Sequence, residues 1–149
     1  MGKFSDFLAP LNATKEKEVI VSDRFVRRDE NGEPLFDENG KMILRPFKIR
    51  ALTQEENANL VKAATTVYRD RAGGKASDFD KLKYSRSLIV AATVDPDFSS
   101  KEMCDGCGVV SPLLVPEKIL FAGEYQKLAD AIAEISGIGV DLEEEAAKN

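Results

Sequence analysis

The run VPEKILFAGEYQKLADAIAEISGI, Val115 to Ile138, decides how the rest of the chain is read. At about 100° per residue, Phe121, Tyr125, Leu128, Ile132 and Ile135 fall on one stripe of a helix. Gln126, Lys127, Asp130 and Glu134 fall on the other side, and Ala129 and Ala131 flank the stripe, leaving room for a partner helix. Pro116 suits the first turn, where its missing N–H costs nothing. Gly123 is expected to divide the run into a short helix and a longer one starting at Glu124. Gly137 is expected to end it in a left-handed conformation, with Ile138 folded back towards Ile132 or Ala133. A helix this one-sided has to bury its stripe, so Leu128 and Ile132 are core positions. Phe121 and Tyr125, nearer the start, either finish that core or line a groove for a partner helix.

At 149 residues the chain has room for one real core and not for two, so a single domain over 1–149 is expected. Hydrophobic residues at 43% and charged residues at 32% are those of an ordinary soluble globular protein. A formal net charge of −5 argues against a nucleic-acid partner, which calls for a basic face to neutralise phosphates. The chain has no His, which removes the commonest general base and the commonest metal ligand together. No apolar run reaches membrane-spanning length, and the start MGKFSDFLAP lacks a signal-peptide core. Asp6 stands where a myristoylation motif has Ser or Thr. A reducing cytoplasm is the expected home, with no membrane partner.

From the N-terminus, residues 1–17 read as an arm. Within it Lys3 to Leu11 forms a short amphipathic turn with Phe4, Phe7, Leu8 and Leu11 on one side, limited by Pro10. It is either a clip docked on the domain or a mobile arm. Residues 18–51 read as a β-hairpin or small meander. Val19, Val21 and Phe25 share one strand face, and Ile43, Phe47, Ile49 and Ala51 alternate in a second strand, which Pro46 marks as an edge. Two copies of Asp-Glu-Asn-Gly, Asp29–Gly32 and Asp37–Gly40, mark turns. Residues 53–138 read as a compact helical core of four to five helices. Thr53-Gln-Glu-Glu56 is a capping box, and the pattern Leu60, Val61, Ala64, Val67, Tyr68 predicts a helix to about Arg71. Ala72 to Ser77 is then an interhelix loop. A second helix starts at Asp78 or Asp80 and ends before Asp95-Pro96. A short turn capped by Ser99 or Ser100 finishes at Gly106 or Gly108. Residues 139–149 read as an acidic tail that is expected to be flexible. The fold class is α+β, mainly α.

Little of this carries chemistry. Cys104-Asp-Gly-Cys107 has redox spacing, yet it sits at the end of a helical turn, the opposite pole from the one that lowers a thiol pKa. Zinc needs four ligands and the chain has no further Cys and no His, so only a dimer could supply them. The plain reading is two small, partly buried side chains. Gly73-Gly-Lys75 lacks the phosphate-loop spacing, and neither Asp-Glu-Asn-Gly copy has the ligand spacing of a calcium loop. No nucleophile–base set assembles, so neither catalytic nor metal or cofactor-binding residues are expected. Glu143-Glu-Glu145 is a solvated face or a partner contact.

Several stretches, taken in order, carry a resemblance. They are Ser22-Asp-Arg-Phe25, Phe47-Lys-Ile-Arg-Ala-Leu-Thr53 with Glu55 and Glu56, and Tyr84 with Ala91-Ala-Thr-Val94-Asp-Pro96. Then come Gly108-Val109, Leu113-Leu114, Ile119-Leu-Phe-Ala-Gly-Glu-Tyr125 with Leu128, Ile135-Ser-Gly137 and Glu145-Ala-Ala-Lys-Asn149. Together they resemble the XkdN-like tail assembly chaperones of Gram-positive phages and prophages, over nearly the whole chain. Asp37–Pro46 looks like extra turn material, and the cysteines fall where no family chemistry is expected.

The resemblance implies a non-enzymatic factor of the host cytoplasm, absent from the mature virion. It would coat the apolar, helical tape measure protein, keep it soluble, and recruit tail tube subunits until the tube displaces it; self-association is a further expected contact. Phe121, Tyr125, Glu143, Glu144 and Glu145 are the expected partner-binding residues. Rival readings are a small redox or metal protein using the C-x-x-C pair, and an acidic regulatory module that binds a host protein. The resemblance also implies a short form and a frameshifted long form. Lys148-Asn149 can be encoded by a run of adenines, so a short form with an extensible tail is one reading and an ordinary frayed end the other. Deletion after Asp141 is expected to spare folding.

Overall fold

The computed structural model describes residues 2–139, so the acidic tail, with Glu143, Glu144 and Glu145, lies outside the described residues. Alternation in Phe47-Lys-Ile-Arg50 points Phe47 and Ile49 to one face, and both are buried. This segment, β2 (Phe47–Arg50), pairs antiparallel with β1 (Glu16–Val19), Glu16 opposite Arg50 and Val19 opposite Phe47. On its other side it pairs with β5 (Thr93–Asp95), with a register shift between Lys48 and Ile49. The sheet order is therefore β1-β2-β5, and the edge-strand expectation from Pro46 is corrected: β2 is the middle strand. Pro46 stands one residue ahead of the ladder, so its missing N–H leaves no gap in it.

Between β1 and β2 the chain does not form a simple hairpin or meander. Three short extended segments, centred on Arg27, Leu35 and Ile43, each bond to the other two. Arg27 N–H donates to the Ile43 carbonyl (2.8 Å), Ile43 N–H to Leu35 (2.9 Å) and Leu35 N–H to Arg27 (2.9 Å). Bridges Val26–Leu44, Arg28–Pro34 and Phe36–Met42 complete this triangle. The repeated Asp-Glu-Asn-Gly sets the spacing. Asp29 Oδ1 accepts from Asn31 N–H (2.8 Å) and Glu33 N–H (3.0 Å), and Asp37 Oδ1 accepts from Asn39 (2.8 Å) and Lys41 (3.0 Å). Gly32 and Gly40 follow with φ of 81° and 78°, where a side chain would be strained.

Thr53 forms the expected capping box with Glu56 and starts α2 (Gln54–Ala63). The helix does not continue to Arg71. Thr65–Arg69 is a strand, β3, paired antiparallel with β4 (Lys75–Phe79), so Ala72–Ser77 is no interhelix loop. The β-branched run Thr65-Thr66-Val67 is stiff at χ1 and prefers a pleated surface, which outweighs an apolar spacing that fits a helix by coincidence. The turn repeats the Asp-x-x-Gly device: Asp70 Oδ1 accepts from Ala72 N–H (3.0 Å) and Gly74 N–H (2.8 Å), and Gly73 has φ 83°.

Asp80 caps α3 (Lys81–Ala92), whose Leu88, Ile89 and Ala92 are buried. Ser100 caps α4 (Lys101–Cys107), which ends in a Schellman motif at Gly108. A 3-10 turn at Pro112–Leu114 runs into α5 (Val115–Ile119). Extended residues Leu120 and Phe121 separate it from α6 (Ala122–Ser136), so the break precedes Gly123 instead of falling on it. The far end is the expected Schellman stop: Ile138 N–H donates to the Ala133 carbonyl (2.8 Å) and Gly137 N–H to Glu134 (3.1 Å). Leu128 and Ile132 of α6, Ile89 of α3, Ile49 of β2, Phe98 and Val115 are the largest fully buried side chains of one cluster. The result is an α+β fold in which residues 53–138 hold five α-helices, with a hairpin and β5 set among them.

Leu128 is fully buried, whereas Leu82, from the same apolar pattern in α3, is 55% exposed. Leu128→Ala is expected to cost about 2–5 kcal/mol, and Leu82→Ala about 0.5 kcal/mol or less. Urea unfolding of the two variants checks this: similar midpoints would contradict the assigned core.

Candidate partner-binding surface

One arginine holds the first turn of α6. Arg24 Nε donates to Glu124 Oε2 (2.9 Å), and Nη2 donates to Glu124 Oε1 (2.5 Å) and to the Ile119 carbonyl (2.9 Å). Glu124 Oε1 also accepts the Phe121 N–H (2.7 Å). Phe121 occupies the N-cap without a side-chain acceptor, so Glu124 supplies the only side-chain half of the cap. The Arg24 guanidinium carbon lies 3.9 Å from the Phe121 ring centroid, a cation–π contact that props an otherwise exposed ring. Tyr125, one turn on, is half-buried against the core, its hydroxyl 3.2 Å from Ser85 Oγ. The structure thus parts the two predicted residues: Tyr125 leans on the core and Phe121 faces outward.

The same device starts α2. Arg50 donates to both Glu56 carboxylate oxygens (3.0 and 2.6 Å), and Glu56 Oε1 accepts the Thr53 N–H (3.0 Å). Each glutamate has its carboxyl pKa lowered to about 2, first by the arginine hydrogen bonds.

The cysteines lie at the C-terminal end of α4, Cys104 buried and Cys107 half-buried, both as free thiols. Among the described residues, no three His, Cys, Asp or Glu side chains gather as a metal site would require. The surface instead offers apolar patches. The arm contains α1 (Ser5–Leu8), and Phe4, Phe7, Leu8 and Leu11 are all 62–81% exposed, so its apolar side is not a clip on the domain. A second patch follows the hairpin, where Val67, Tyr68, Phe79 and Leu82 are exposed. An apolar cavity of about 300 Å³, lined by Phe25, Phe47, Phe98, Met103 and Ile119, opens beside the Arg45–Asp95 ion pair. The arm's stripe is legible in the sequence and the hairpin is not, because the apolar spacing through β3 also fits a helix.

Both glutamates bind protons less readily folded than unfolded. Their stabilisation is complete above the ordinary carboxylate value of 4.5 and is lost as pH falls through about 2. Melting temperature is therefore expected to drop across that window, and a Glu56→Gln/Glu124→Gln variant should show a flatter acid limb from a lower plateau. An unchanged acid limb would remove the two forks as its cause.

Comparison with known proteins gives the surface its setting. Residues 4–148 match the family described as phage XkdN-like tail assembly chaperone protein. The chain is 33% identical to the uncharacterized protein YqbN of Bacillus subtilis (strain 168). It is 31% identical to the phage-like element PBSX protein XkdN of the same strain. Each match covers 91% of this chain and 85% of the relative. A crystal structure of the protein YqbN superposes with a TM-score of 0.66 at 24% identity, covering 93% of this chain and 98% of that one, which shows the shared fold. With a family match along almost its entire length and relatives above 30% identity, the chain belongs to the XkdN-like family of phage tail assembly chaperones.

Proposed function

We propose that this chain binds the apolar helical segments of a phage tape measure protein, keeps them soluble in the host cytoplasm, and recruits tail tube subunits until tube growth displaces it. Family membership gives the class, tail assembly, and implies binding and not catalysis. The observation that carries the finer reading is the arm. Phe4, Phe7 and Leu8 stand on and beside the single turn of α1, Leu11 follows in the next turn of chain, and all four side chains are in solvent, a compact apolar surface for an amphipathic partner helix. Phe121, backed by Arg24, is a second anchor of the kind that partner surfaces favour. Glu143, Glu144 and Glu145 add an acidic contact for tube subunits, and Tyr125 adds its half-buried edge one turn on from Phe121.

Coexpression with a tape measure fragment tests this. The wild-type chain should keep the fragment in the soluble fraction, and Phe7→Glu/Leu11→Glu should release it to the pellet. Those residues are exposed, so the variant's own melting temperature should stay where it was. Equal solubilisation by the variant would rule out the arm as the binding element.

A further inference from the structure

The described chain reaches Gly139 in a depression of about 340 Å³ that it shares with Leu52, Thr53, Gln54 and Asn57, at the start of α2. Gln54 and Asn57 also line a groove of about 390 Å³ that continues along α2 past Ala58, Val61 and Lys62 to Thr65 and Val67 of β3. The two hollows share Gln54 and Asn57 and so adjoin, the second leading away from Gly139. Val61 and Val67 form an apolar floor that is 38% and 68% exposed.

The far end of the path is basic. Thr65, Val67 and Arg69 share one face of β3, and Arg69 stands directly opposite Lys75 of β4. Like charges in that relation repel, and no described acid forms an ion pair with Arg69, Lys75 or Lys62. The residues that follow Gly139 are Val140-Asp-Leu-Glu-Glu-Glu145. In sequence, two apolar residues, Val140 and Leu142, precede an acidic run. From Gln54 to Lys62 the helix rises roughly 12 Å. Four residues can span at most about 13 Å, so the length of chain after Gly139 is enough to bring Glu143 to Lys62.

We propose that residues 140–149 seat along this groove in the free chain. Val140 and Leu142 cover Ala58, Val61 and Val67, and Glu143, Glu144 and Glu145 meet Lys62, Arg69 and Lys75. The seat does not rest on the tape measure reading, since it concerns the isolated protein.

Backbone amide NMR shifts of the full chain and of a chain ending at Gly139 test it. Differences should concentrate at Ala58, Val61, Lys62, Thr65 and Val67, with Leu88 and Ile132 unmoved. Lys62→Glu/Lys75→Glu in the full chain should reproduce the truncated spectrum around the groove, and the peptide VDLEEEAAKN added to the truncated chain should move those amides back. Shifts confined to the residues next to Gly139, or spread through α3 and α6, would overturn the proposal. So would shifts that fade on dilution, which would assign the segment to a second copy.

Discussion

An arginine fork on the N3 glutamate of a helix is the contact on which the arrangement depends. It occurs twice, Arg24 on Glu124 and Arg50 on Glu56, and each glutamate also closes its own helix start. The fork at α6 matters more. The Glu124 side chain is 10% exposed and Arg24 37%, so removal of the arginine would leave a nearly buried carboxylate with only neutral donors, the Phe121 N–H and the Ser22 hydroxyl. The triangular excursion before β2 contributes little to the core apart from Val21 and the edge of Phe25. The Arg24 contacts to Glu124 and the Ile119 carbonyl therefore fix how that excursion meets the helices. They also fix the direction in which α6 leaves Phe121, and with it the depth of Leu128 and Ile132 in the core.

What could be read in the sequence was what is local. The Thr53–Glu56 capping box, the Schellman stop at Gly137 and the α6 stripe each lie within one stretch of chain and each is found, and of the paired cap candidates the structure uses Asp80 and Ser100. The failures have two physical causes. One is coincidence of period: Val61, Ala64, Val67 and Tyr68 satisfy a helix template while Thr65 to Tyr68 also satisfies a strand. Composition could have decided it, since Asp70-x-x-Gly73 repeats the turn already visible at Asp29 and Asp37. The other cause is distance. The pairing of β2 with β5 and the Arg24–Glu124 fork join residues far apart in sequence, and no local pattern announces either. The candidate surface divides the same way: the arm is a local stripe and was legible, whereas the hairpin and its groove exist only once β3 pairs with β4.

The placement of apolar surface bears on how such a protein works. Phe98, Ile49, Ile89, Leu128, Ile132 and Val115, among the largest fully buried side chains, belong to neither the arm nor the hairpin. Those two elements carry exposed apolar residues and bury almost none, so a partner can cover or leave them without disturbing the core. On the proposed reading this separation is what displacement requires. Burial of one such side chain contributes about 1.5–3 kcal/mol, and association itself costs several kcal/mol. A four-residue stripe therefore gives a modest affinity for each copy. Many copies along a long apolar partner would keep it covered, while each remains weakly enough held for a polymerising tube to remove it. A chaperone that bound through its own core would have to unfold to let go.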